Sequence, residues 1–195
     1  MLTIPQSFAN GVLPPGTYEA TFDQIRQSIL VKGMGSSASW DSIWRSQLVD
    51  QAEILTRELW SAGIYDVFLD GSFVEEKDRP NDIDGYFDTG LSMMADDLAR
   101  FSQLVHKLNF NNPYKIWDWN PHSRVAVAGS AKRQLPMWVR YRVELYPHLQ
   151  QSSGIMDKYG NELTFPSAFR QCRGSGKEKG IVKIIRESGH DQNRI

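Results

Sequence analysis

The chain has 195 residues, of which 41% are hydrophobic and 23% are charged, and its formal net charge is −1. This composition is typical of one globular domain with a hydrophobic core, and the near-neutral charge argues against a protein that binds nucleic acid through its overall charge. The single cysteine, Cys172, excludes an internal disulfide and a cysteine cluster for zinc.

The N-terminal residues have neither the basic start nor the apolar stretch of a signal peptide. No uncharged apolar run approaches the roughly 20 residues that are needed to cross a bilayer. We therefore expect a cytoplasmic protein without membrane association, folded as a single domain over residues 1–195. Residues 1–16 are expected to form an N-terminal arm, and residues 186–195 a frayed tail.

Helical and extended patterns alternate in the first half of the chain. Thr21-Phe22-Asp23-Gln24 fits a capping box and predicts a short helix that ends near Leu30. Apolar residues three or four positions apart predict a long helix over residues 40–62, and a second one that begins near Ser92. Between these helices, residues 65–70 and 83–87 have the composition of strands.

Extended patterns dominate the second half. Residues 114–119 and 124–128 are predicted strands, and the clearest alternation runs from Met137 to Tyr146, with Arg140, Arg142 and Glu144 on its polar face. A short apolar stretch follows at residues 181–185. This order of elements predicts an α+β fold.

The segment that points to chemistry contains a Gly-Ser turn and two nearby carboxylates. Gly71 permits close approach of a ligand to the backbone, and Ser72 offers a hydroxyl and an amide to phosphate, or simply caps the turn. Asp82 and Asp84 lie two apart, so on a strand they share one face. Adjacent carboxylates repel each other unless a cation lies between them, and Mg²⁺, with Mn²⁺ as an alternative, is the expected ion.

A third carboxylate on a neighbouring strand is needed to complete such a site. Glu144 fits this role, although pairing with Arg140 or Arg142 across the sheet surface is the alternative. Because Arg142 is expected on the same face as Glu144, it is a candidate for binding phosphate. Trp117, Trp119 and Trp138 either stack on bases or, as is more usual in a small domain, belong to the core.

Gly71-Ser72, nine intervening residues, and Asp82-Ile83-Asp84 resemble the signature of the DNA polymerase β-like nucleotidyltransferase superfamily. Further segments resemble a family of uncharacterised, mostly bacterial nucleotidyltransferase-like proteins. These segments are Leu13-Pro14-Pro15-Gly16 with Glu19-Ala20-Thr21, Leu69-Asp70-Gly71-Ser72-Phe73-Val74, Pro80-Asn81-Asp82-Ile83-Asp84, Glu144-Leu145-Tyr146-Pro147 and Lys179-Gly180-Ile181-Val182.

The resemblance implies a nucleotidyltransferase-like fold, in which helices back a mixed β-sheet. It also implies that Asp82, Asp84 and Glu144 are the catalytic and metal-binding carboxylates, and that Ser72, beside Gly71, contacts the triphosphate of an NTP. Two departures from the superfamily pattern are visible. Gly85 replaces the apolar residue usual after the second aspartate, and no large helical nucleotide-binding domain follows.

These observations favour an enzyme that transfers an NMP from an NTP to a hydroxyl acceptor and releases pyrophosphate. RNA, a protein side chain and a small molecule all remain open as the acceptor. The alternative is a catalytically degenerate domain that senses nucleotide or binds a partner protein, for example in a toxin–antitoxin or phage-defence system. A nucleic-acid-binding protein that keeps only the fold is a third hypothesis.

Overall fold

The computed structural model describes residues 2–187, which form seven strands and six α-helices. The strands are β1 Thr17–Ala20, β2 Asp66–Asp70, β3 Ile83–Asp88, β4 Val143–His148, β5 Ser152–Met156, β6 Glu162–Thr164 and β7 Ile181–Ile184. The helices are α1 Phe22–Gln27, α2 Ile29–Lys32, α3 Ser42–Ser61, α4 Ala95–Asn111, α5 Pro136–Tyr141 and α6 Phe165–Ala168. A 3-10 turn, Gly71–Val74, directly follows β2.

Five of the strands form one mixed sheet in the order β1-β7-β2-β3-β4. The β1–β7 and β3–β4 pairs are parallel, whereas β2 is antiparallel to both of its neighbours. Strands β5 and β6 form a separate antiparallel pair. The α+β class and the mixed sheet are therefore confirmed.

One face of the five-stranded sheet carries the hydrophobic core. Side chains that alternate along the strands, such as Leu69, Phe87 and Leu145, are completely buried there. Helix α3 supplies apolar residues to the same core, including Leu48 and Leu55. Because successive side chains of a strand point to opposite faces, the intervening residues of β2, β3 and β4 are free to form a polar face.

The predictions for the first half of the chain are confirmed in type and approximate position. Thr21 and Gln24 form the predicted capping box, but the helix breaks at Ser28, whose side chain caps the following helix α2. The long helix α3 begins after its N-cap Asp41, and α4 begins after Met94. The two predicted strands correspond to β2 and β3.

Two strand predictions for the second half are wrong, and a third is confirmed only in its last four residues. Residues 114–119 and 124–128 form no strand in the described part of the chain, and Val125 makes only an isolated bridge to Gln134. The predicted strand from Met137 to Tyr146 is helix α5 up to Tyr141, then a left-handed residue, Arg142, and only then strand β4. In segments this short, alternating apolar residues do not distinguish a strand from a helix or an irregular segment.

The sequence did not predict three of the strands. The apolar stretch noted near the C-terminus forms a strand inside the sheet. Strand β1 follows the N-terminal arm, and β5 and β6 lie between β4 and β7. The stretch at residues 181–185 forms β7, which lies between β1 and β2 in the sheet. Among residues 2–187, no helix is long and apolar enough to cross a membrane. Residues 188–195 of the predicted frayed tail lie outside the described residues.

Candidate active site

Three carboxylates form a row across neighbouring strands on the polar face of the sheet. In the strand register, Asp84 of β3 pairs with Asp70 of β2 on one side and with Glu144 of β4 on the other. Neighbouring strands are about 4.8 Å apart, so these side chains project side by side. The sequence pattern grouped Asp84 with Glu144, whereas Asp70 was not expected at the site.

The 3-10 turn at Gly71 passes close to this row. Gly71 has φ +76°, and a Cβ atom at this position would lie 2.5 Å from Oδ2 of Asp84. Gly85, which follows Asp84, is packed as tightly, because a Cβ atom there would lie 2.2 Å from the carbonyl oxygen of Phe68. The departure from the superfamily pattern at Gly85 therefore has a local steric reason.

Burial and negative neighbours shape the electrostatics of Asp84. Burial, then Asp82, then Glu144 raise the pKa of Asp84 to about 6. Arg173 and Lys132 act in the opposite direction. Asp82 and Glu144 are therefore the neighbouring charges that most oppose ionisation of Asp84.

Glu144 is almost completely buried, at 1% exposure, and its two oxygens have different surroundings. Oε2 accepts a hydrogen bond of 2.6 Å from the Tyr146 hydroxyl, whereas Oε1 has no hydrogen-bond partner. Arg124 Nη1 lies 3.9 Å from Oε1, and Lys132 Nζ lies 3.8 Å from Oε2. Within residues 2–187 the ion pairs of Glu144 are with these two residues, so the alternative of pairing with Arg140 or Arg142 is wrong.

Asp82 is held by an aromatic side chain. Its Oδ2 accepts a hydrogen bond of 2.6 Å from the indole nitrogen of Trp138. Arg142 stacks on the same indole, with its guanidinium carbon 3.9 Å from the centroid of the Trp138 ring. Arg142 caps α5 with φ 54°, so it does not share a strand face with Glu144 as the alternation predicted. The core interpretation of Trp117 and Trp138 is confirmed, at 0% and 4% exposure.

A cavity of about 440 Å³ opens beside Asp84, in the size range of small-molecule sites. One wall is formed by the turn and the carboxylates, and another by aromatic residues of β4 and α6 and the residue that follows α6. The residues from the first wall are Asp70, Gly71, Ser72 and Asp84, and those from the second include Tyr146, Phe165 and Phe169. The loop between α6 and β7, residues 169–180, is rich in Arg and Lys, and we call it the basic loop. Its residues 171–173 also line the cavity, so this loop reaches the site.

A buried ion pair lies beneath the Gly71 turn. Asp70 and Lys179 have side chains that are 4% and 3% exposed, and Lys179 Nζ lies 3.4 Å from Asp70 Oδ1. Burial raises the pKa of Asp70 to about 7, although Lys179 acts in the opposite direction. For Lys179, burial lowers the pKa, but Asp70 and Glu75 outweigh it and raise the pKa above its ordinary value.

The carboxylates of the site meet only some of the needs of a divalent metal. Among residues 2–187, no three acidic, histidine or cysteine side chains are gathered in the geometry of a metal centre. Two local features nevertheless fit such an ion. Oε1 of Glu144 is a buried carboxylate oxygen without a hydrogen-bond partner, and the absence of a Cβ atom at Gly71 keeps Asp84 Oδ2 accessible. Hard carboxylate oxygens are the ligands that Mg²⁺ prefers.

Several residues of the site were missed by sequence reasoning. Asp70 was visible as a carboxylate that ends an apolar strand directly before Gly71, but its partner Lys179 is more than a hundred positions away. Arg124 and Lys132 lie in an irregular segment between α4 and α5, and no periodicity marks them. The alternation from Met137 to Tyr146 also predicts Tyr146 on the polar face with Glu144, and the structure confirms that these two residues lie on one face.

Comparison with known proteins places the chain in a family but gives it no characterised relative. No curated protein and no solved structure matched it. One family did match, over residues 5–185, a range that includes all seven strands and every residue of the candidate site. The chain therefore belongs to the family of unknown function DUF6932.

Proposed function

We propose that this protein is a metal-dependent nucleotidyltransferase that transfers an NMP from an NTP to a hydroxyl acceptor and releases pyrophosphate. The observation that carries the proposal is the alignment of Asp84 with Glu144 on adjacent strands, next to a glycine turn with no room for a side chain. The spacing of Gly71-Ser72 and Asp82-Ile83-Asp84 supports the same function through its resemblance to the DNA polymerase β-like superfamily.

In this proposal, Asp82, Asp84 and Glu144 hold Mg²⁺, or Mn²⁺ in its place. The metal would supply positive charge to neutralise the triphosphate and to acidify the acceptor hydroxyl. Asp82 offers the oxygen that Trp138 leaves free, and Glu144 offers the oxygen that has no hydrogen-bond partner.

The remaining side chains position the substrates. The hydroxyl of Ser72 contacts the β- and γ-phosphates, and Gly71 allows them to approach the backbone. Glu144 takes the proton of the acceptor hydroxyl, with its orientation held by Tyr146. The sequence suggested Arg142 as the residue that binds phosphate. We assign this role to Arg173 and Lys132 instead, because their positive charges act on Asp84.

Calorimetry with ATP, GTP, CTP and UTP tests the proposal, with Mg²⁺, with Mn²⁺ and with EDTA. We expect metal-dependent binding of at least one nucleotide, and we expect Asp84→Asn to abolish it without unfolding the protein. Asp88→Asn is the matched control, because Asp88 lies on the same strand but is exposed. The absence of nucleotide binding to the native protein, or binding unchanged in Asp84→Asn, would contradict the proposal.

One observation favours the second candidate, a degenerate domain that senses nucleotide or binds a partner protein. Among residues 2–187, no group of acidic, histidine or cysteine side chains is arranged as a metal site. Pyrophosphate release in the presence of metal distinguishes the two. A nucleotide that binds but is never turned over, with RNA, protein and small hydroxyl acceptors all supplied, would support the sensor.

A further inference from the structure

The ammonium group of Lys179 is surrounded by oxygens from one short segment of the chain. Nζ donates a hydrogen bond of 2.8 Å to the carbonyl oxygen of Gly71 and one of 3.0 Å to Glu75 Oε1, and it lies 3.4 Å from Asp70 Oδ1. A lysine ammonium has three donors and no acceptor. Two of these donors therefore bind residues 71 and 75, and the ammonium lies within ion-pair distance of Asp70, whose Oδ1 has no hydrogen-bond partner.

Stability alone does not explain a buried ion pair at this place. Removing charges from water is costly, and well-packed hydrophobic residues often replace such pairs without loss of stability. The chain instead keeps Lys179 at 3% side-chain exposure. A hydrogen bond to the Gly71 carbonyl requires a donor, which an apolar side chain lacks, so the lysine adds a geometric constraint on the turn.

Lys179 also closes the base of the basic loop that reaches the cavity. Its backbone N–H donates a hydrogen bond of 2.8 Å to the carbonyl of Arg170, and Cys172 N–H donates one of 2.8 Å to the carbonyl of Lys177. Within this loop, Cys172 and Arg173 line the cavity. The same residue therefore contacts the turn through its side chain and fixes the loop through its backbone.

We propose that Lys179 is a positioning residue that holds the Gly71–Ser72 turn and the loop carrying Arg173 against each other, so that both face Asp84 in one cavity. The link between this positioning and nucleotide binding rests on the proposed function. The positioning itself is a property of the apo protein and can be measured without a nucleotide. Lys179 touches no reacting atom and acts through the turn.

The test compares Lys179→Met with Lys183→Met. Lys183 lies on β7 and pairs with a residue of β2, but its contact with Asp66, at 2.6 Å, is far more exposed. Hydrogen exchange at the amides of residues 71–75 is expected to be faster in Lys179→Met and unchanged in Lys183→Met. Affinity for the nucleotide that binds the native protein most tightly in Mg²⁺ is expected to fall about 10- to 100-fold in Lys179→Met alone.

A second variant separates positioning from charge balance. Lys179→Met leaves Asp70 buried without its cation, so part of any effect could come from lower stability. Adding Asp70→Asn removes that unpaired charge, and we expect the double variant to recover Tm while exchange at residues 71–75 stays fast. Recovery of native exchange in the double variant would overturn the proposal, as would native exchange in Lys179→Met.

The two proposals fail in different ways. If the native protein binds none of ATP, GTP, CTP and UTP, the proposed function is wrong, and exchange at residues 71–75 still decides the role of Lys179. If the native protein binds nucleotide and Lys179→Met binds it equally well, the proposed function stands and the positioning role is wrong.

Discussion

Gly71 and Asp84 are packed so closely that a methyl group on residue 71 would lie 2.5 Å from the Asp84 carboxylate oxygen. The carbon of that methyl group would also lie 2.9 Å from Asp84 Cβ and 3.0 Å from its backbone nitrogen, so rotation of the carboxylate alone does not relieve the contact. The glycine therefore has two reasons to be there, the left-handed φ of +76° and the carboxylate beside it.

Gly71→Ala is expected to abolish metal-dependent nucleotide binding and to lower the free energy of unfolding by about 2–4 kcal/mol, because steric overlap adds to the backbone strain. Gly63→Ala is the control. Gly63 has φ +95°, but a Cβ atom there would have nothing within 4 Å, so only the strain, about 1–2 kcal/mol, is expected. Urea unfolding and calorimetry measure the two effects. Equal losses of stability in the two variants would contradict the steric account.

Much of the site could be predicted because its key residues are close in sequence. Gly71, Ser72, Asp82 and Asp84 lie within fourteen positions of one another, and the strand Ile83–Asp88 follows from local composition. Glu144 was placed correctly on a strand next to Asp84, even though half of the predicted strand is a helix.

The remainder of the site depends on contacts that local patterns do not encode. Pro136 fits the first turn of helix α5, but the apolar alternation of residues 137–145 fits a strand equally well, and packing decides between them. Lys179 meets Gly71 only because β7 is inserted between β1 and β2. The composition of a single segment does not predict such a strand order.

The contribution of Asp84 to the stability of the metal-free protein is expected to decrease as the pH rises from about 4 to 7. The pKa of Asp84 is raised from an ordinary value of 3.8 to about 6, so the folded state binds this proton more tightly than the unfolded state. Between these two pKa values the folded state carries more protons, and stability falls with rising pH. The full effect of this group is on the order of 3 kcal/mol.

Asp84→Asn tests this linkage directly, since it removes the titrating group. In EDTA at about pH 7.5, above the raised pKa, the variant is expected to be more stable than the native protein, and this advantage is expected to shrink steadily as the pH falls toward about 4. Urea unfolding at several pH values measures the difference. An advantage that stays constant over this range would show that the pKa of Asp84 is the same in the folded and unfolded states.

The hydrogen bond between Trp138 and Asp82 is expected to orient the carboxylate for the metal. In Trp138→Phe an aromatic ring remains but the indole donor is lost, so the affinity for metal and nucleotide is expected to fall about tenfold or more, as when other groups that orient a ligand are removed. Trp119→Phe is the control, since its indole donates at 2.8 Å to the backbone carbonyl of Leu145.

The fluorescence of Trp138 provides an independent test of the contact between Trp138 and Asp82. Mg²⁺ binding at Asp82 changes the charge next to the indole, so the native protein and Trp119→Phe are expected to show a metal-dependent change in emission that Trp138→Phe lacks. An identical change in all three proteins would mean that the metal binds away from Asp82.

Arg45 connects helix α3 to the segment that links the Gly71 turn to Asp82. Its side chain is fully buried and donates to four backbone carbonyls, those of Leu30, Phe73, Glu75 and Lys77, at 2.6–2.9 Å. Arg45→Met leaves these acceptors without their donor, and we expect a loss of at least about 3 kcal/mol in the free energy of unfolding. Arg45→Lys is expected to rescue little, because one ammonium cannot reproduce the planar fork of donors.

Arg57→Met is the matched control on the same helix. Arg57 is 60% exposed and pairs with Glu53 one turn away, so its removal is expected to cost less than about 1 kcal/mol. Urea unfolding gives the stabilities, and hydrogen exchange at residues 73–77 locates the loss. Because those residues include the end of the Gly71 turn and the segment that leads from it toward Asp82, Arg45→Met is also expected to weaken nucleotide binding at temperatures where it remains folded. A variant of Arg45 that keeps native exchange there would show that helix α3 does not hold this segment.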